Sequence, residues 1–175
     1  MALGSGSNPN VMHRRIDQYL DTDGDGTGTT NAIGDYSGAE EIFYIQPPAG
    51  TVYSLNRMMV FVQDAGTFDS AKYGNGVGLT TGIVVRVQDD EGTLDTMTGV
   101  LPVKTNTHWK RLCYDAVVSK DGTGDETLGA RWTFTKDSGE PIILNGNANE
   151  RLEVVLNDAF DDLVAQTFMV KGKIL

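Results

Sequence analysis

The sequence is poor in the residues that most often build catalytic and redox sites. It has one cysteine, Cys113, so no disulfide can form within the chain, and the class of small disulfide-stapled domains is excluded. It has two histidines, His13 and His108, which is little material for a histidine metal site or a catalytic triad. No catalytic motif stands out, and we therefore do not expect an enzyme.

Basic charge is also scarce. The chain carries 14 Lys and Arg against 24 Asp and Glu, a formal net charge of −10. Since an acidic surface repels phosphate, nucleic acid is not an expected partner. A membrane is not expected either, because no apolar run approaches the roughly 20 residues of a spanning helix. The first ten residues are small and polar and lack the basic and apolar regions of a secretory signal.

What the sequence does have is glycine, 21 residues of it, and many short segments rich in β-branched and aromatic residues. Alternating apolar residues between turn signals predict β-strands. We predict strands over 41–46, 52–63, 79–88, 93–98, 108–119, 127–135, 141–144, 151–156 and 167–175, and one helical turn over 158–163.

This pattern predicts an all-β protein, a jelly-roll-like antiparallel β-sandwich of about eight to ten strands. Residues 1–15 are predicted to form a flexible, extended N-terminal arm, because their Gly-Ser-Asn composition cannot bury a core. Residues 16–175 are predicted to form a single β-sandwich domain, which is a usual length for one core.

The sharpest local pattern is an acidic, glycine-rich loop. Asp21, Asp23 and Asp25, followed by Gly26, have the spacing of the first half of an EF-hand calcium loop. Calcium takes six to eight oxygen ligands, and this spacing can direct three carboxylates towards one ion. Asp21, Asp23 and Asp25 are therefore candidate ligands, and Ca²⁺ is a possible cofactor.

The second half of the loop departs from the EF-hand pattern. The twelfth position is Ala32 rather than a bidentate Glu, and no helix pattern follows it. A calcium loop of another kind would need further ligands, for which Asp35 or Glu40 are candidates. The alternative is a solvated Asp-Gly turn without metal, since these residues also suit Asx turns and positive φ angles.

The remaining chemistry-bearing residues have structural interpretations. His108 and Cys113 are five residues apart on a predicted strand, so their side chains point to opposite faces and a Cys-His pair is not expected. Trp109 and Trp132 are expected in the core or in an interface. The alternative is that one of them stacks on a sugar, which would make the protein a carbohydrate-binding jelly-roll module.

Several further segments stand out together, at 21–28 (DTDGDGTG), 36–38 (YSG), 42–47 (IFYIQP), 73–76 (YGNG), 104–106 (KTN), 111–115 (RLCYD) and 150–158 (ERLEVVLND). Together they resemble segments of virion proteins of tailed bacteriophages, specifically proteins similar to capsid decoration (cement) proteins. In this family setting, the sugar-binding alternative would be a carbohydrate-binding module of a phage head or tail appendage. The resemblance covers the chain from about residue 14 to its end.

This resemblance implies a structural subunit with a jelly-roll fold that binds the outer surface of a phage capsid and stabilises the mature head. The implied partners are the major capsid protein and further copies of the same chain, as a homotrimer. In that setting Arg14, Arg15 and Ile16, at the end of the N-terminal arm, are candidate capsid-binding residues. The implied location is the exterior of the virion, and no catalytic residue is implied.

Overall fold

The computed structural model describes residues 14–27, 31–64, 80, 83–98, 113–120, 126–134 and 140–175. The described part of the chain is built from β-strands, with one short 3-10 helix, Gly146–Ala148. The strands are β1 (Arg15–Tyr19), β2 (Glu41–Ile45), β3 (Val52–Asp64), β4 (Ile83–Gln88), β5 (Thr93–Thr98), β6 (Cys113–Lys120), β7 (Glu126–Thr133), β8 (Ile142–Asn145), β9 (Arg151–Leu156) and β10 (Leu163–Ile174).

The strands form two antiparallel sheets. Sheet 1 has the order β1-β10-β3-β7-β6, and β8 pairs with the first residues of β3. Sheet 2 has the order β2-β9-β4-β5. The predicted all-β class and the β-sandwich are therefore confirmed. Most observed strands lie within three residues of their predicted bounds. The strand predicted over 79–88 begins four residues later, at Ile83, and the strand predicted over 167–175 begins four residues earlier, at Leu163.

The pairing is nested, because β1 pairs with β10, β2 with β9 and β3 with β8. Along β3, the partner of Arg57 is Thr133 at the end of β7, and the partner of Leu55 is Ile142 at the start of β8. β7 and β8 thus act as one interrupted strand beside β3. This nesting is what results when one long antiparallel hairpin is wound into two layers.

The core lies between the two sheets, because strands such as β3 and β4 turn alternate residues inward. In β4, Ile83, Val85 and Val87 are buried and the residues between them are half-buried. Sheet 1 contributes Trp132, which is 1% exposed, and Phe168, which has no exposed surface. A single buried cluster includes residues of both sheets. Since burial of one large apolar side chain contributes about 1.5–3 kcal/mol, this cluster provides most of the force that holds the layers together.

Two details differ from the sequence-based predictions. The helical turn predicted over 158–163 is wrong, because Ala159 forms a β-bridge with Asp35 and the following residues make a tight turn. The N-terminal arm, predicted over residues 1–15, was also given a boundary too far along the chain. Arg15 already belongs to β1, and the carbonyl of Arg14 accepts a hydrogen bond from the Ile174 N–H at 2.9 Å.

Residues 1–13 lie outside the described residues. In the part of the chain that is described, no helix has the length and apolar character needed to cross a membrane.

Candidate metal centre at the edge of the sandwich

The acidic loop is an excursion from the edge of sheet 1. The Leu20 N–H donates to the carbonyl of Phe168 at 2.9 Å, and the Ala32 N–H donates to the carbonyl of Gln166 at 2.7 Å. These are successive positions along the same edge of β10. The chain therefore leaves β10 after Leu20 and returns to it at Ala32, and the described part of the excursion consists of residues 21–27 and Asn31.

The same loop also pairs with the edge of sheet 2. Asp21 and Tyr44 exchange backbone hydrogen bonds of 3.3 and 2.8 Å, and the Gln46 N–H donates to the carbonyl of Gly24 at 3.2 Å. Because β2 is the outer strand of its sheet, these bonds use an edge that would otherwise be open. The loop thus connects the two sheets along one side of the sandwich.

Asp21 organises the loop. It is 7% exposed, and its carboxylate accepts the Gly24 N–H on Oδ1 and the Gly26 N–H on Oδ2, the latter at 3.0 Å. Both glycines have a φ of 75°, in the left-handed region that glycine adopts without strain. A Cβ at Gly24 would lie 2.0 Å from Cε2 of Tyr44. Glycine is therefore required at Gly24 both for its φ angle and for the close approach of the Tyr44 ring.

The other two carboxylates are exposed and hold the remainder of the turn. Asp23 accepts the Asp25 N–H at 3.3 Å, and Oδ1 of Asp25 accepts the Thr27 hydroxyl at 2.6 Å and the Thr27 N–H at 2.7 Å. These bonds from Thr27, the hydroxyl first, lower the pKa of Asp25 below its ordinary value. For Asp21, burial raises the pKa, and the adjacent Asp23 carboxyl raises it further.

The three side chains converge as the sequence predicted. One carboxylate oxygen from each of Asp21, Asp23 and Asp25 lies within 4.8 Å of the others. Calcium binds oxygen at 2.3–2.6 Å, so two ligands on opposite sides of one ion lie about 4.6–5.2 Å apart. Three oxygens at this spacing can therefore share one calcium ion, which would neutralise the repulsion among three neighbouring carboxylates.

The residues expected to complete the ligand set do not join it. Asp35 accepts the Ser37 hydroxyl and N–H at 2.6 and 3.0 Å instead, and among the described residues neither Asp35 nor Glu40 belongs to the group of converging ligands. A different side chain lies beside the loop. Oε1 of Gln18 is buried without a hydrogen-bond partner among the described residues, 3.1 Å from the position of a Cβ at Gly26.

Gln18 and Tyr44 were missed by the sequence analysis. Gln18 alternates with exposed residues in β1, and Tyr44 lies in a β2 segment that indicates only a strand. No motif marks either residue, because their proximity to the loop depends on strand pairing and not on spacing along the chain.

The three candidate capsid-binding residues are not equivalent. Arg14 and Arg15 are exposed, at the start of β1 on the edge of sheet 1. Ile16 is 3% exposed and belongs to the core. Its side chain is therefore not available to a partner of the folded chain, and its inclusion among candidate contacts was wrong.

Among the aromatic, histidine and thiol candidates, the structure describes Trp132 and the backbone of Cys113. Trp132 is buried in the core, as one prediction required, and its ring is not available to stack on a sugar. Trp109, His13 and His108 lie outside the described residues. Cys113 begins β6.

Comparison of the chain with protein-family models, with curated proteins and with solved structures gives no match.

Proposed function

We propose that this protein is a structural virion protein of a tailed bacteriophage, a decoration or cement subunit that binds the outer surface of the capsid and stabilises the mature head. The observation that carries the proposal is the antiparallel sandwich with its nested pairing of β1 with β10, β2 with β9 and β3 with β8. It agrees with the jelly-roll fold implied by the sequence segments that resemble decoration proteins.

The edges of the sandwich support an exposed, load-bearing role. The 21–27 loop covers the free edge of β2, and residues 34–36 pair with 158–160 where β9 turns into β10. The loop joins the two layers by backbone hydrogen bonds as well as by the core, and the second pairing holds together two segments that connect strands of different sheets. A subunit built in this way can transmit force between neighbouring shell proteins without first opening at its side.

The net charge and the exposed residues at the sheet edge indicate which partners the protein would bind. A net charge of −10 suits the exterior of a capsid, away from packaged DNA. The partners we propose are the major capsid protein, contacted in part by the exposed Arg14 and Arg15, and further copies of the chain in a homotrimer. The activity is interfacial binding, and the proposal assigns no catalytic step.

The test is co-sedimentation of the purified protein with mature heads of the phage that encodes it. The expected result is saturable pelleting at a fixed ratio to the shell protein. Because Arg14 and Arg15 lie at the sheet edge, the variant Arg14→Glu with Arg15→Glu is expected to bind the heads at least about tenfold more weakly.

A second variant lacking residues 1–13 separates the arm from these two arginines. It keeps the carbonyl of Arg14, which accepts the Ile174 N–H, and so leaves the outermost hydrogen bond between β1 and β10 intact. Weaker binding with an unchanged melting temperature would assign contacts to the arm. If the intact, folded protein does not pellet with the heads, the proposed function is wrong.

A further inference from the structure

The outer face of sheet 1 carries an apolar group that no described residue covers. Tyr19 lies opposite Met169, and Met169 lies opposite Met59 on the next strand. Phe61 follows two residues after Met59, on the same side of β3. Tyr19 is 39% exposed and Phe61 is 38% exposed, although aromatic side chains of this size are usually well buried.

Positive charges surround this apolar group. Lys171 and Arg57 are paired in the row next to it, and Lys173 lies opposite Arg15 in the row beyond. Arg131 lies opposite Met59. Two acidic residues share this face by register: Asp17, which pairs with Lys171 at 3.2 Å, and Asp115 of β6, which lies opposite Arg131. The face thus has five of the 14 Lys and Arg of a chain whose net charge is −10.

One end of the sandwich has the opposite character. Residues 34–41 and 157–162 are held together there, since the Tyr36 N–H donates to the carbonyl of Asp158 at 3.0 Å and the Phe160 N–H to that of Gly34 at 2.7 Å. The two segments contain no Lys or Arg, and five of their six acidic residues are at least partly exposed: Asp35, Glu40, Glu41, Asp161 and Asp162. The sixth, Asp158, is 7% exposed and accepts the Thr80 N–H. Val164, beside them at the start of β10, is 44% exposed.

The two surfaces are too far apart to neutralise each other within one molecule. Asp162 and Lys171 are joined by β10, and nine residues of strand span about 30 Å. The Debye length at physiological ionic strength is about 8 Å, so interaction over this distance is screened. In two molecules placed head to tail, the same surfaces can come into direct contact.

We propose that the outer face of sheet 1 is a docking surface for a second copy of this chain, which presents its acidic end, residues 34–41 and 157–162. The basic side chains meet the carboxylates, while the Tyr19 and Phe61 rings bury apolar surface against the residues around Val164. The contact is heterologous, so the same two surfaces remain available at the ends of every dimer. The apolar centre and the overall negative charge favour a protein partner over a nucleic acid.

Sedimentation velocity of the intact protein at increasing concentration tests this proposal without any capsid. We expect reversible self-association that weakens as salt is raised, because the contact pairs opposite charges. The face variant, Arg57→Glu with Lys171→Glu, and the end variant, Asp161→Lys with Asp162→Lys, are each expected to self-associate at least about tenfold more weakly.

The matched control is an equimolar mixture of the two variants. The reversed face of one is complementary to the reversed end of the other, and their unaltered surfaces are complementary as well. The mixture is therefore expected to recover association that neither variant shows alone. Recovery also shows that both variants are folded, which circular dichroism of each variant checks independently.

A wild-type protein that stays monomeric at all concentrations would overturn the proposal, as would variants that associate as strongly as wild type or a mixture that fails to recover association. Binding of either variant to phage heads is measured separately. The proposed function and this inference can therefore fail independently of each other.

Discussion

The Asp21 loop and the turn between β4 and β5 use the same local chemistry in different settings. In the turn, Oδ1 of Asp89 accepts the Glu91 N–H at 2.8 Å and the Gly92 N–H at 3.0 Å. In the loop, the Asp21 carboxylate likewise accepts backbone N–H groups from residues that follow it. The turn joins two neighbouring strands of one sheet, with a side-chain hydrogen bond from Asn149 to Asp90 at 2.6 Å, whereas the loop joins two sheets and collects three carboxylates.

The difference shows that an Asp-Gly segment does not reveal its role by composition alone. Asp21 is buried because the Tyr44 strand edge and the end of β1 close over it, while Asp89 lies at the end of an open hairpin. The three carboxylates of the loop come together because the loop must fold back on itself to reach the edges of both β10 and β2. The predictions below test this comparison, from the largest expected effect to the smallest.

The largest effect on stability is expected at the close contact between Gly24 and the Tyr44 ring, which the loop makes and the turn lacks. In Gly24→Ala the new Cβ would displace the Tyr44 ring at a φ of 75°, whereas nothing lies within 4 Å of a Cβ at Gly92. We expect a loss of about 2–4 kcal/mol in the free energy of unfolding, from backbone strain and overpacking together. Urea denaturation at an unchanged m value measures this loss.

Gly50→Ala is the matched control for that measurement. Gly50 has a φ of 80° and nothing within 4 Å of its Cβ position, so the variant carries the backbone strain alone. A loss of about 1–2 kcal/mol is expected for it. Equal losses in the two variants would mean that the Tyr44 contact does not hold the loop against sheet 2.

A smaller effect on stability is expected when calcium is added. If Asp21, Asp23 and Asp25 share an ion, free Ca²⁺ at ten times its Kd stabilises the protein by about 1.4 kcal/mol. This corresponds to a rise in Tm of about 3–6 °C for a chain of this size. Thermal unfolding with CaCl2, compared with chelator, measures the shift, which should be absent in Asp23→Asn with Asp25→Asn.

The turn supplies the control for calcium binding, because Asp89→Asn with Asp90→Asn removes the same two charges from a similar acidic sequence. This variant should keep the full shift in Tm. If the wild-type protein shows no shift, or if both variants lose it equally, the loop is a metal-free Asx turn and the calcium hypothesis is wrong.

The smallest effect concerns Asp35, a third Asp turn that resembles the other two. Its pKa is lowered by the Ser37 hydroxyl and then by the Ser37 N–H, so its contribution to stability is present above its unfolded pKa and is lost as pH falls through the folded value. Ser37→Ala is expected to raise this pKa towards 3.8, the ordinary value. NMR titration of the Asp35 carboxyl carbon measures the change, and an unchanged pKa would contradict the assigned hydrogen bond.

Much of the fold could be predicted because its signals are local. The alternation of Ile83, Val85 and Val87 and the breaks at Pro47-Pro48 and Asp89-Gly92 give strand positions without knowledge of partners. The three ligand candidates could also be predicted from a local signal, because Asp21, Asp23 and Asp25 are spaced two residues apart. The helical turn predicted over 158–163 failed because its extended form depends on the bridge to Asp35, more than 100 residues earlier.

The sequence by itself determined the all-β class, most of the strands, the burial of Trp132 and the identity of Asp21, Asp23 and Asp25 as a group. These follow from side-chain period and spacing, which act over a few residues. The tertiary structure decided that the Asp loop joins two sheets, that Ile16 is core, and that Tyr19, Phe61 and five cations share one face. The physical reason is that strand pairing brings together residues distant in the chain, and local sequence does not specify which strands become neighbours.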